Sequence, residues 1–232
     1  MINQRYFSLI ATAFAVVMTS TVSFAETVSS KTVIDKPTIA TEANDVTAAS
    51  RLAQLLGNFK TFTAYFSQQV LNDKNKVIQR NHGSVTIERP GKFRWVSQIP
   101  TQQIIIANGP VLWTYDVDLQ TATQQPFQQS GGVTPANLLS GDVADLQKQF
   151  NITQLPAISE QQTYQLLPKT KNDLLQSVIM TFKNNQLFSM QVNNNIGQKI
   201  LFLFTNVQLN KPVAASFFQF EPPKGVDVIN NG

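Results

Sequence analysis

The chain has 232 residues, with 18 Lys and Arg against 14 Asp and Glu, one histidine and no cysteine. This composition excludes a disulfide framework, thiolate metal sites and cysteine nucleophiles, and the scattered basic residues exclude the clustered stripe of a nucleic-acid-binding surface. Charged residues make up only 14% of the chain, well below the usual quarter, so its surface is polar through Asn, Gln, Ser and Thr more than through charge.

Residues 1–25 have the layout of a secretory leader: Arg5 at the start, an apolar run over 7–18, and Ser23-Phe24-Ala25 as small residues before a cleavage point. The run is short for a spanning helix. Loss of the leader leaves a charge of about +3, and an exported, periplasmic product is expected. Residues 26–45, rich in Thr, Ser, Val, Lys and Ala around Pro37, show neither period and read as a flexible extension. From Val46 onward Ala49, Leu52, Ala53, Leu55, Leu56 and Phe59 recur at helical spacing, predicting an amphipathic helix over 46–59.

From Phe62 to Val207 the texture is β. Strands are expected at 62–70, 77–79 with 83–87, 92–96, 104–106 and 112–117, divided by turn signals such as Asn72-Asp73-Lys74-Asn75, Pro90-Gly91 and Asn108-Gly109. Phe93 and Trp95 stand two apart and so share a face. The rhythm breaks over 119–160: residues 119–129 read as polar and turn-like, 135–139 as a short helix capped by Thr134 with Pro135 at its first position, and 142–150 as a second helix. Strands resume at 164–168, 177–182, 187–192 and 199–207, and 217–223 reads as a final strand halted by Pro222 and Pro223. Short strands with tight turns and no βαβ alternation predict one mainly β domain over 46–232, an antiparallel sheet that curls.

No catalytic constellation is visible. A Ser-His-Asp triad would have to use His82, which reads as a surface residue. One histidine without cysteine leaves only carboxylates to complete a zinc site, so none is expected. Asp116 and Asp118 share a strand face as paired glycosidase carboxylates would, but turn acids following a strand account for them. Gly131-Gly132 reads as a hinge or cap in a loop, and no nucleotide motif occurs. No enzyme, metal or cofactor is expected. What stands out is apolar: 16 Phe, and Ile200-Leu201-Phe202-Leu203-Phe204, apolar on both faces of one strand. Either this strand is sandwiched between the sheet and a helix, or one face lines a cavity for acyl chains while the other is covered.

The residues also carry a resemblance. Gly83-Ser84-Val85, Arg89-Pro90-Gly91-Lys92-Phe93-Arg94-Trp95, Ala107-Asn108-Gly109 and Leu112-Trp113-Thr114-Tyr115-Asp116 are followed by Thr134-Pro135-Ala136-Asn137-Leu138-Leu139, Tyr164-Gln165-Leu166-Leu167-Pro168, Gly197-Gln198 and Phe218-Gln219-Phe220-Glu221-Pro222-Pro223-Lys224-Gly225-Val226. In this order they are similar to the LolA family of periplasmic outer-membrane lipoprotein carrier proteins. The resemblance implies an unclosed antiparallel β-barrel with a helical lid over a hydrophobic cavity. It implies acylated lipoproteins as cargo, received from an inner-membrane ABC lipoprotein-release complex and handed to an outer-membrane lipoprotein receptor. The family's lid latch falls on Arg89, which there hydrogen-bonds backbone carbonyls of a lid helix, matched here by Pro135–Ser140 with Pro135, Leu138 and Leu139 as its site residues. Phe93 matches an aromatic that affects hand-over. The cavity or its mouth is expected to use Phe66, Phe93, Trp95, Trp113, Tyr115, Phe188, Met190, Phe202 and Phe204, in a monomer. The long stretch 26–45 and the polar Asn137 in the lid depart from the family pattern, the latter implying a less tightly closed lid. A lipid-binding or lipoprotein-sensing module of the same fold is the alternative.

Overall fold

A computed structural model describes residues 39–127, 135–141, 143–157, 160–170 and 175–231, with side chains from Ala48 onward other than those of Pro135 and Asn137. The expected leader, the Thr134 cap and the Gly131-Gly132 pair lie outside these residues.

Helix α1 (Ile39–Gly57) leads into a single 12-stranded sheet. Strands β1 (Thr61–Leu71), β2 (Val77–Glu88), β3 (Lys92–Ile99), β4 (Gln103–Asn108), β5 (Val111–Asp116) and β6 (Thr121–Pro126) form one antiparallel meander. Helices α2 (Pro135–Ser140) and α3 (Val143–Gln149) link it to a second, made of β7 (Phe150–Gln154), β8 (Gln161–Pro168), β9 (Leu175–Lys183), β10 (Gln186–Asn194) and β11 (Lys199–Leu209). The meanders join where β1 pairs antiparallel with β11. The last strand, β12 (Asp227–Asn230), runs parallel beside β6, so the sheet ends at β12 and β7 and does not close. The mainly β class and the unclosed sheet agree with the sequence reading.

The inward faces of both meanders meet in one apolar cluster. Leu112 of β5 and Ile152 of β7 belong to it, together with Leu52 and Leu56 of α1, Leu138 and Leu139 of α2, and Leu146 of α3. A sheet whose distant strands and three helices share one core must curl around it. Ala48, Leu52 and Leu55 lie on one stripe of α1; α1 packs on β7 and α3, and α2 lies over β2 and β3.

Four elements differ from expectation. Helix α1 begins at Ile39, inside the stretch read as an extension. Apolar periodicity marks only the buried part of a helix, and the preceding Ala40, Glu42 and Ala43 favour helix without giving a period. Residues 121–126, expected as turn, form β6 despite a nearly all-polar sequence, because β5 and β12 pair with both of its edges. Residues 217–223, expected as the final strand, instead leave a 3-10 turn (Ala215–Phe218) as an irregular strap on β3 and β4, and the strand follows at Asp227. Strand β7, with polar Asn151 and Thr153, gave no sequence signal.

At Gly83 the backbone leaves no room for a side chain. A Cβ there would stand 1.8 Å from the Val96 carbonyl oxygen and 2.9 Å from Cζ of Phe66. The absent side chain lets the Phe66 ring lie across β2 onto Trp95, with ring centroids 4.3 Å apart. Gly83→Ala is expected to lower stability by about 3 kcal/mol, the upper range for overpacking. Urea unfolding should show a lower midpoint at unchanged slope; a midpoint equal to that of the parent protein would contradict this packing.

Candidate functional site

The β2–β3 hairpin turn carries the only charged side chain that reaches both helices above the interior among the described contacts. Arg89 follows directly on β2. Its Nε donates to the Leu139 carbonyl of α2 at 2.7 Å, and its Nη1 donates to the Leu56 carbonyl of α1. Both acceptors lie in the last turns of their helices, where carbonyls lack an intrahelical donor. A cation is favoured there, since the backbone dipoles leave partial negative charge at a helix C-terminus. The guanidinium also lies over the Phe59 ring, 4.4 Å from its centroid.

The rest of the turn supports this geometry. Gly91 has φ +72°, a left-handed conformation that glycine adopts without strain, and its amide donates to the Ser140 carbonyl at 2.9 Å. The α2 C-terminus is therefore held by the Arg89 side chain and the Gly91 backbone together. On the α1 side, the Arg89 amide donates to the Lys60 carbonyl at 2.9 Å. Asn210, past the end of β11, receives the Lys60 amide at 2.8 Å and donates to the Asn58 carbonyl at 2.9 Å. Phe59 is thus fixed between two clamped neighbours, beneath the guanidinium.

From Phe59 an aromatic series runs inward. Ring centroids of Phe59 and Phe62 are 5.5 Å apart, those of Phe62 and Phe204 5.7 Å, and those of Phe204 and Phe202 6.5 Å. Phe202 then meets Trp95 at 5.6 Å and Phe66 at 6.3 Å. Phe93, Met190, Leu138 and Leu139 are buried in the same cluster. Of the expected wall residues, Phe66, Phe93, Trp95, Met190, Phe202 and Phe204 are therefore brought together beneath the helices. Leu52 and Leu56 of α1 and Leu138 and Leu139 of α2 belong to the same buried cluster.

Trp113, Tyr115 and Phe188 are not part of that wall. In β5 it is Leu112 that points inward, opposite Ala107, so alternation sends Trp113 and Tyr115 to the outer face. There both rings meet Phe220 of the strap, at 5.4 Å each. Phe188 sits at a register irregularity between Leu187 and Ser189. The irregularity breaks the inward series, leaving Leu187 and Met190 buried while Phe188 lies under the Lys183 ammonium at 3.8 Å. The double-faced strand is also resolved: Ile200, Phe202 and Phe204 face the core, whereas Leu201 and Leu203 line a shallow outer depression with Ser67, Gln69 and Ile179. A second depression, bounded by Gly57, Phe59, Arg89, Pro90, Gly141 and Val143, opens at the guanidinium itself.

Leu56, Phe59, Ser140 and Asn210 take part in this arrangement and were not singled out from the sequence as site residues. Leu56 and Ser140 contribute backbone carbonyls, which any residue could supply. The helical spacing of Phe59 pointed to a buried face and nothing more. Among the described residues no group of three or more His, Asp or Glu is placed to hold a metal ion, and no helix is long and apolar enough to cross a membrane.

Residues 57–221 match the family described as "Outer membrane lipoprotein carrier protein LolA". The chain is 44% identical over 183 residues to an outer-membrane lipoprotein carrier protein of Coxiella burnetii, covering 78% of this chain and 86% of that protein. It is 37% identical over 187 residues to one of Pseudomonas paraeruginosa, covering 81% of this chain and 89% of that protein. Among solved structures, an uncharacterized conserved protein from Thermus thermophilus superposes with a TM-score of 0.53 over 79% of this chain and 99% of its own, at 8% identity, a likeness of fold alone.

The chain has 2 tryptophans, one inside and one outside, which permits a direct test of the bridge. In a Trp113→Phe background, Trp95 emission should be blue-shifted and resistant to acrylamide. Adding Arg89→Lys should make Trp95 several-fold more quenchable. A lysine presents a single point charge and cannot span two carbonyls; each lost charge-assisted bond is worth about 1.5–3 kcal/mol. Quenching left unchanged by Arg89→Lys would mean that the bridge does not hold the helices down.

Proposed function

The chain belongs to the outer membrane lipoprotein carrier protein family LolA, and from that membership we propose that Arg89 is the latch of a carrier that shelters lipoprotein acyl chains beneath α1 and α2. The observation that supports this reading is the double bond of one guanidinium to the Leu56 and Leu139 carbonyls, directly above a continuous apolar interior.

The work of such a carrier is binding and release, and it needs no bond-making step. Acyl chains enter when α1 and α2 lift off the sheet. Each buried methylene gains about 0.8 kcal/mol. Against this stand the charge-assisted bonds of Arg89, at about 1.5–3 kcal/mol each, and the reburial of Leu52, Leu56, Leu138 and Leu139 that closure brings. Cargo and lid leucines compete for the same aromatic wall. Closure is therefore a standing force that pushes cargo out, and hand-over is possible because occupancy is only moderately favourable. Phe93 and Trp95 form part of the wall, and Phe59 couples it to the latch.

In this reading the protein works in the periplasm after leader removal at Ala25. It takes acylated lipoproteins from an inner-membrane ABC lipoprotein-release complex, whose ATPase supplies the energy of loading, and delivers them to an outer-membrane lipoprotein receptor. This reading requires no catalytic residue, cofactor or metal of the chain.

Arg89→Leu removes the latch while leaving the cavity wall intact. It is expected to accept a purified acylated lipoprotein but to pass on less than about a tenth of the parent amount to the receptor, since cargo retention rises by the lost bond energies. Gel filtration of the loaded protein before and after mixing with the receptor measures both steps. Delivery by Arg89→Leu at the parent rate would remove the latch role.

A further inference from the structure

Every described side chain of α2 is buried: Ala136, Leu138, Leu139 and Ser140. Three of the four are apolar. Ser140 is 0% exposed, yet its hydroxyl oxygen has no hydrogen-bond partner among the described residues. Its backbone carbonyl accepts from the Gly91 amide. Buried polar groups are nearly always satisfied, so a lone one calls for a physical account.

A buried hydroxyl without a partner has lost its water and gained nothing in exchange. An alanine here would fill nearly the same space, favour the helix more and carry no such penalty. The penalty is specific to one state. With α2 seated on β2 and β3 the hydroxyl is buried; with α2 lifted it meets water. Ser140 therefore raises the energy of the closed lid and leaves the open one untouched, opposite in sign to Arg89, which bonds the neighbouring Leu139 carbonyl from the β2–β3 turn. We propose that Ser140 is a positioning residue of the lid whose unsatisfied hydroxyl offsets the Arg89 and Gly91 bonds and sets how readily α2 opens.

The consequence for loading rests on the carrier reading; the effect on the lid does not. Ser140→Ala should shift the α2 equilibrium toward closure by about tenfold, the effect of relieving one buried unsatisfied group. Amide hydrogen exchange of the full chain, followed by mass spectrometry of a peptide spanning α2, should slow by that factor while peptides from β9 and β10 are unchanged. Uptake of a synthetic diacylated lipopeptide should slow in proportion. Unchanged or faster α2 exchange in Ser140→Ala would overturn the proposal. Slower α2 exchange in a protein whose parent form takes up no lipopeptide would sustain the role of Ser140 and count against the carrier reading instead. A slowing spread evenly over α2, β9 and β10 would also overturn it, since that is the mark of general stabilisation rather than of a lid set-point.

Discussion

The structure depends on one side chain meeting two helix ends. Carbonyls at the C-termini of α1 and α2 have no donors of their own, and both helices lie on an apolar interior that offers none. Arg89 supplies donors to Leu56 and Leu139 from the turn of a hairpin that is itself part of the sheet. Remove the cation, and each helix terminus loses a charged donor, leaving, among the described contacts, the Gly91 amide on Ser140 and the Asn210 side-chain amide on Asn58. Keep it, and one side chain ties the two helices to each other as well as to the sheet. Arginine suits the position because its rigid fork can address two acceptors at once, whereas an ammonium cannot.

That fastening makes sense of the interior beneath it. The wall of Phe66, Trp95, Phe202 and Phe204 belongs to the rigid ladder of β1, β2, β3 and β11. The side chains that cover it come from elements held by few polar contacts. Apolar attraction is non-directional, so the wall does not distinguish a leucine from an acyl methylene. In the carrier reading proposed above, what distinguishes the closed from the loaded state is the polar set at the helix ends: Arg89, Gly91 and the unpartnered hydroxyl of Ser140. In that reading the apolar part supplies capacity, and the polar part supplies control.

Much of this was legible in the chain. Period-two alternation located most strands, the turn residues located the hairpins, and Arg89 beside Phe93 and Trp95 announced a cation next to an aromatic surface. The helix over 135–139 followed from its proline. What could not be read has identifiable causes. Backbone acceptors carry no residue signature: the resemblance pointed Arg89 at the lid helix that holds Leu139, but nothing in the chain pointed to Leu56. The inward side of β5 depends on register: Trp113 and Tyr115 are larger than Leu112, and size suggested the wrong face. One irregularity in β10 turned Phe188 outward. Strand β6 is polar because its neighbours, not its side chains, hold it, and the strap that covers Trp113 is a tertiary contact without local pattern.

The joining of the two meanders through β1 and β11 has a further consequence, one of time. Phe66 pairs with Phe204, across most of the chain. During synthesis the first meander emerges with an unpaired edge at β1 and an uncovered apolar face, and neither is relieved until Lys199–Leu209 has followed. Non-local pairing of this kind folds slowly and exposes sticky surface while it waits. A protein that shelters the greasy segments of others thus begins its own existence as a chain in need of shelter.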